Sequence, residues 1–429
     1  MKKITNRAVS LLLIAALIIT GLVLYTLRYV DHGRDWALAF ARANSGSSGT
    51  MTDRDGRLLA AFGPEGTRYA EDALTRTACY AVTGDFLDRS GTGALTCLWK
   101  DLQGFSLVTG TTRPVSSELQ LTVDASLCRR AYEALDGRSG AVMLMDYRSG
   151  DLLCMVSSPA IDPLFEGEPP EGAYLNRCLS SCFTPGSIFK LVTAAAAIET
   201  VPNMDGRSFF CGGETEIAGV PIKCVAEHDT QNFEEALANS CNVAFAQITI
   251  KVGQESMLEH ARAYGLLDAH ELDGIPSAAG SYPSDFIGDP ELAWSGIGQS
   301  TDLVNPYAML RFVAAVANGG TLAEPHLVAG RSGPYTRLVR EDTAKKLGAM
   351  MNYNVVTHYD AAANFPGLSL CAKTGTAELG DGSSHAWIVG YLLDEDHPYA
   401  FVVLVENGGG GLYAAGPVAN ALLQKAVGR

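Results

Sequence analysis

The chain is predicted to be a mixed α/β (α+β) protein, with one central antiparallel sheet flanked by helices behind an apolar helix and a small module. Three observations predict this. Two apolar runs, GAVMLMD and LLCMVSS, are joined by the turn-rich YRSGD and read as a hairpin. Three further strand-like runs, LSLCAKTGT, HAWIVGYLL and YAFVVLVEN, lie near the C-terminus. The stretch between them, from about Tyr174 to Met351, is helical and loop-rich. Strands early and late with helices between them suggest a sheet assembled from both ends of one domain.

Taken in order, the first strong signal is at the N-terminus. Lys2, Lys3 and Arg7 precede an apolar run from Val9 to Leu27 that carries no charge. The run is long enough to cross a bilayer as a helix, and the positive cluster before it places the N-terminus in the cytoplasm. A cleaved signal peptide would have a shorter apolar region with a small-residue cleavage site close behind. The nearest Ala-x-Ala, Ala41-Arg42-Ala43, stands well past the run. ARANSGSSGT then reads as a linker, and Met51 to Arg113 as short mixed segments broken by Gly and Thr. TRPVSS marks a border. The expected organisation is a cytoplasmic tail over 1–8, a transmembrane helix over 9–27, a linker or pedestal module over 28–114 and a large domain over 115–429. Inside that domain, LTVDASLCRRAYEALDG predicts a helix capped by Asp124 and ending before Gly137. The four glycines at 408–411 read as a mobile loop, and a last helix is expected from about Pro417 to Val427.

Composition narrows the function. Apolar residues make up 47% and charged residues 18%, which suits a folded protein. The net charge is −15 with no Lys/Arg-rich stripe to offset it, which argues against nucleic acid as a partner. Most of the ten cysteines, such as Cys97, Cys154, Cys241 and Cys371, sit in apolar neighbourhoods and read as buried thiols. Cys211 and Cys224 flank a polar stretch and form the leading disulfide candidate, with free thiols as the alternative. Together with His228 they also suggest zinc, but sequence spacing offers no good fourth ligand, and no metal is expected.

The chemistry centres on FTPGSIFKLVTAAAAIE. Pro185 and Gly186 break the chain, and the Ala-rich run that follows favours a helix beginning at Ser187. Lys190 then lies one turn on, on the same face. A serine hydroxyl needs a base to take its proton, and a lysine serves when burial or nearby positive charge keeps it neutral. Ser-x-x-Lys alone is a weak signal. Two further motifs follow, each occurring once: Ser240-Cys241-Asn242, and Lys373-Thr374-Gly375 at the end of an apolar strand. Their order and wide separation fit the signature set of serine β-lactamases and penicillin-binding proteins.

On these motifs the chain resembles the class B (monofunctional) penicillin-binding proteins. GTMTDRDGRLLA, LTVD, SSPAIDP, LNRCLSSCFTPGSIFK, GIGQSTDLVNPYAML, VANGGTLAEPHLV and HAWIVGY are similar to family blocks, so the resemblance covers most of the chain. It departs at Ile188, where Thr or Val is frequent, at Asp229, where Gly is common after His228, and in a shorter first module. The resemblance implies a transpeptidase domain over 115–429 with the penicillin-binding/β-lactamase-like fold. It further implies peptidoglycan stem peptides as substrates, acylation by β-lactams, no cofactor, and a polytopic glycan polymerase in the membrane as partner. Ser187 would be the nucleophile and Lys190 its base. Ser240 and Lys373 would relay protons, and Asn242 would hold the substrate amide. The Ser187 and Thr376 N–H groups would form the oxyanion hole, with Lys373, Thr374 and Thr376 at the terminal carboxylate beside Gly375. The stretch 28–114 is too short for a glycan-polymerising domain.

Blander readings stand beside these. Ser187 is otherwise a helix cap, Lys190 a solvated lysine, Ser240 and Asn242 polar caps, and the Lys373 motif a strand end; three motifs in order outweigh them. His228 and His385 read as hydrogen-bonded structural residues, Trp387 as sheet core, and Glu378 as a loop stabiliser. The alternatives on the same motifs are a D-Ala-D-Ala carboxypeptidase or β-lactamase, which would need a group to activate water, and a non-catalytic β-lactam-binding receptor or scaffold.

Overall fold

The computed structural model of the chain describes residues 7, 9–28, 48–103, 116–285 and 288–429. The Lys2–Lys3 cluster, Ala41-Arg42-Ala43, the linker up to residue 47 and the border segment 112–115 lie outside the described residues.

The apolar N-terminal run forms one helix, α1 (Val9–Arg28), exposed along its length. Its 20 residues span about 30 Å, the thickness of a bilayer core. The small module follows with β1 (Ser48–Thr52), β2 (Leu58–Gly63) and β3 (Gly66–Tyr69), then short helices between Ala73 and Gln103. Ser48, Gly49 and Thr50, read from sequence as linker, are already strand. The fourth strand of this sheet is β4 (Ser116–Gln120), which runs parallel to β1 in the order β3-β2-β1-β4. The strand that completes the module's sheet thus lies just past residue 115. Met51, Leu59 and Leu95 of the module belong to the same buried cluster as the large domain's core. Arg76 clamps Asp162 through two hydrogen bonds of 2.7 Å, tying module to domain.

Next comes α2 (Ala125–Leu135). Asp124 accepts a hydrogen bond from the Ser126 N–H at 2.7 Å, and the helix ends as Asp136 and Gly137 turn left-handed. The hairpin β5 (Gly140–Asp146) and β6 (Leu152–Ser158) forms where the sequence places it. After a 3₁₀ turn over Gly186–Phe189 the chain enters α3 (Lys190–Thr200). A strand-rich excursion follows: β7 (Ser208–Cys211), β8 (Glu214–Ile217), β9 (Val220–Lys223) and β10 (Asp229–Asn232). It leads into α4 (Phe233–Ala238), whose Asn232 and Glu235 form a capping box, and α5 (Asn242–Val252). Later elements that build the central sheet and its cover are α6 (Pro306–Ala317), α7 (Glu341–His358), β11 (Leu370–Glu378), β12 (Ser384–Leu392), β13 (Tyr399–Val405) and α8 (Gly411–Ala426).

The central sheet has the order β11-β12-β13-β5-β6, antiparallel throughout. Strands from residues 140–158 and 370–405 join at the β13–β5 pair, from Tyr399 opposite Asp146 to Val405 opposite Gly140. These strands are apolar on both faces and buried on both, so both faces need cover. The helices α2 and α8 pack together and against the sheet, while α6 and α7 cover β13 and β11.

Two expectations at the C-terminus are corrected. The last helix starts at Gly411, six residues before Pro417, which lies inside it. Gly411 therefore belongs to the helix and not to a loop. A Gly run followed by Pro signals a loop and then a helix start, but packing overrides that signal: Ala415, Val418, Ala419, Leu422 and Leu423 are all buried. Gly411 is also a contact point. A Cβ there would stand 2.5 Å from the Gly375 carbonyl oxygen and 2.7 Å from that of Trp387. Because those atoms are sheet backbone, they cannot move aside cheaply. Gly411→Ala is therefore expected to lower stability by about 1–3 kcal/mol, read as a lower urea midpoint for the detergent-solubilised chain; an unchanged midpoint would contradict the contact.

Candidate active site

Three segments far apart in sequence meet at the edge of the sheet. The 3₁₀ turn over Gly186–Phe189 lies along β11, and the loop between α4 and α5 closes the third side. Glycines make the approach feasible. Gly186 has φ +55°, and a Cβ on it would stand 2.7 Å from the Thr376 oxygen; one on Gly375 would stand 2.9 Å from the Pro185 oxygen. The Trp387 indole N–H donates to the Thr184 carbonyl at 3.0 Å, holding the preceding loop to the sheet. Trp387 is fully buried, as its apolar strand predicts.

Ser187 is half-buried, and the Lys190 amine stands 2.9 Å from its Oγ. The same amine reaches the Asn242 Oδ1 at 2.7 Å, the Ser240 carbonyl at 2.7 Å and the Ser240 Oγ at 3.2 Å. From the other side, the Lys373 amine donates to the Ser240 Oγ at 3.0 Å and to the Thr374 carbonyl at 3.0 Å. Ser240 thus bridges two amines. Its φ of +51° is a left-handed conformation that costs a non-glycine residue energy, and it is held by the contacts around it. Both lysines are buried, at 0% and 1% exposure. Burial lowers the Lys190 amine to about 8, opposed by Cys224 and Cys241. It pushes Lys373 well down too, and the neighbouring Lys190 charge adds to the effect. Among the described residues, no carboxylate hydrogen-bonds any of these groups.

The structure brings together every predicted site residue. Thr374, Gly375 and Thr376 continue β11 away from Lys373, and the Thr376 Oγ1 accepts the Gly411 N–H at 3.3 Å. Sequence reasoning missed the residues behind them. The Tyr359 hydroxyl accepts the Thr374 N–H at 2.7 Å and an Asn354 amide N–H at 2.8 Å, and it lies 3.0 Å from the Thr374 Oγ1. No signal in VVTHYD marks this residue. Gln299, whose amide N–H reaches the Thr376 oxygen at 3.3 Å, does lie in the family-like GIGQ block. His385 is structural, as expected, with its Nδ1 accepting the Asn407 N–H at 3.3 Å.

The cysteine expectation needs correction. No disulfide joins Cys211 to Cys224; both are free thiols. Both face His228 and Cys241, whose side chains complete a group of four with ligand atoms all within 4.8 Å of one another.

The family description "Penicillin binding protein transpeptidase domain" matches residues 140–424, about two thirds of the chain. The chain belongs to the penicillin-binding protein transpeptidase family. Among its relatives is the Mycobacterium tuberculosis peptidoglycan D,D-transpeptidase PbpA, 30% identical in an alignment of length 337 that covers 67% of this chain and 67% of that protein. Stage V sporulation protein D of Bacillus subtilis is 26% identical over 70% of this chain and 51% of its own length. The M. tuberculosis penicillin-binding protein A structure superposes with a TM-score of 0.76 at 25% identity, over 90% of this chain and 100% of that one. Its penicillin G acyl-enzyme complex aligns with a TM-score of 0.74 at 25% identity, over 89% and 100%. The family's transpeptidase fold is thus present, and within it Lys190 and Lys373 meet at the Ser240 hydroxyl.

Tyr359→Phe removes the acceptor for two N–H groups, those of Thr374 and Asn354, beside Lys373. Leaving them unpaired is expected to cost about 1–3 kcal/mol, measured as lost thermal stability. No loss would mean that Thr374 and Asn354 find other partners.

Proposed function

We propose that the chain is a membrane-anchored D,D-transpeptidase that cross-links peptidoglycan stem peptides through a Ser187 acyl-enzyme and is acylated by penicillins at the same oxygen. The observation that carries the reading is the buried Lys190 amine 2.9 Å from the Ser187 Oγ, linked through the Ser240 Oγ to a second buried amine. Its relatives' description as D,D-transpeptidases supports it.

The Ser187 Oγ bonds to the carbonyl carbon between the two terminal D-alanines as Lys190 takes its proton. The Ser187 and Thr376 N–H groups receive the charge that develops on the carbonyl oxygen. The C–N bond breaks, and Ser240 with Lys373 hands a proton to the leaving amine, freeing D-alanine. An amine of a second stem peptide then attacks the ester carbon and gives its proton to Ser240 and Lys373; the ester C–Oγ bond breaks, and Lys190 returns its proton to the Ser187 Oγ. Asn242 holds the substrate amide. The substrate's terminal carboxylate, bound by Lys373, Thr374 and Thr376, favours the charged form of Lys373. That charge in turn favours the neutral, proton-accepting form of Lys190.

The reading includes the anchor. Arg7 before α1 supports a cytoplasmic N-terminus with the site on the far side of the membrane. It also includes the domain limits 28–114 and 115–429, and a polytopic glycan polymerase as partner, because a cross-linker acts on strands that another enzyme lays down.

Mass spectrometry of the full chain after penicillin treatment is expected to locate the adduct on Ser187, and Ser187→Ala to take no label. Lys190→Met is expected to slow labelling by about 10²–10⁴-fold; an adduct elsewhere would refute the assignment. Since the neutral amine is the active form, the labelling rate should climb about tenfold per pH unit below about 8 and level off above it. A flat profile between about pH 6 and 9 would remove Lys190 as the base.

A further inference from the structure

The excursion between α3 and α4 has little apolar material to hold it: in β7–β10 only Phe209, Cys211 and Ile222 are buried apolar side chains. Its strands pair only two by two, β7 with β10 and β8 with β9, and of the β8–β9 residues only Ile222 is fully buried. At its base stand the four side chains noted above. Cys211 ends β7, Cys224 follows β9, His228 precedes β10, and Cys241 is the N-cap of α5. Each strand pair is extended by one backbone bond at this end, from the His228 N–H to the Cys211 carbonyl at 3.0 Å beside β7–β10 and from the Cys224 N–H to the Gly213 carbonyl at 2.8 Å beside β8–β9.

The spacing of the ligand atoms is informative. The Sγ atoms of Cys224 and Cys241 are 3.8 Å apart, and the Cys224 Sγ is 3.6 Å from the His228 Nδ1. A disulfide requires about 2.05 Å between sulfurs. A tetrahedral zinc ion, with Zn–S about 2.3 Å and Zn–N about 2.05 Å, separates two sulfurs by about 3.8 Å and a sulfur from a nitrogen by about 3.6 Å. The sulfurs also receive backbone donors, Asn242 N–H to Cys224 and Ala244 N–H to Cys241, each at 3.3 Å, as thiolate ligands in metal sites do. Three soft sulfurs and one imidazole suit zinc and not calcium or magnesium.

We infer that Cys211, Cys224, His228 and Cys241 hold one Zn²⁺ ion in a closed structural site. Sequence spacing offers no fourth ligand, because it comes from the middle of the Ser240-Cys241-Asn242 motif, 13 residues past His228. That position gives the ion its role. The residues on either side of Cys241 are the ones that hold the Lys190 amine, through the Ser240 carbonyl and the Asn242 Oδ1. An ion bonded to Cys241 fixes the left-handed Ser240 against relaxation and ties the whole excursion to the catalytic cleft. With four protein ligands there is no open position for substrate or water, so the ion positions and does not react.

The test is elemental analysis of the full-length, detergent-solubilised chain purified without added metal. About one zinc per chain is expected, with the zinc lost in Cys211→Ser and in His228→Ala. Replacement by Co²⁺ should give a thiolate-to-metal charge-transfer band that weakens in Cys211→Ser. Chelation under reducing conditions should slow penicillin labelling, and added Zn²⁺ should restore it. A wild-type chain without zinc, one with a disulfide among Cys211, Cys224 and Cys241 together with full labelling, or Cys211→Ser retaining its zinc would each overturn the inference. If the variants do not fold, the wild-type zinc content and cobalt spectrum still decide. Ser187→Ala keeps this result separate from the catalytic reading: it should carry full zinc and take no label.

Discussion

Two amines buried against one serine hydroxyl are the constraint around which the domain is organised. A lysine out of water loses several kcal/mol of hydration unless it is neutral or well partnered. Here both lysines point at the Ser240 Oγ, and each has a backbone carbonyl to accept a further bond. Such an arrangement survives only if the backbone around it cannot relax. Gly186 and Gly375 let the 3₁₀ turn press onto β11, Gly411 lets the last helix start directly on the sheet, and Tyr359 pins Thr374 from behind. Each is a structural device with no chemistry of its own, and each keeps the amines where solvent cannot replace their partners.

The same logic explains why the nucleophile sits on a tight turn and not in the middle of a helix. The turn over Gly186–Phe189 lays the Ser187 backbone beside Thr376 while α3 carries Lys190 inward. An apolar sheet, buried on both faces, supplies the rigid wall. Among the described residues the outer module adds no group to the cleft, but its core is continuous with the domain's and Arg76 locks it to Asp162, so it acts as a footing.

How much of this could be read from the chain depends on how local the cause is. The hairpin at 140–158, the Asp124 cap and the three late strands follow from periodicity and turn chemistry within a few residues, and they stand where they were expected. The site residues were legible because their order along the chain resembles a family pattern. The start of the last helix was not, since a Gly run and a proline mislead wherever packing decides. Tyr359 is invisible for the same reason: it matters through what its hydroxyl accepts, from Asn354 and from Thr374, 15 residues away. Cys241 shows the limit best. In sequence it reads as an ordinary buried thiol, and it is buried, but what it faces depends on two strand pairs folding back over α5.

The pairing of β13 with β5 has a consequence for biogenesis. Residues near 140 must wait for residues near 400 before the sheet closes, a high contact order that slows folding. If the chain is threaded through the membrane from α1 onward, its first hairpin emerges long before its partner strand and stands with an unpaired edge in the meantime. Enzymatic competence is then the last property the polypeptide acquires. A chain shortened before β13 would keep α1 and its outer module yet leave the two lysines without a wall to be buried against.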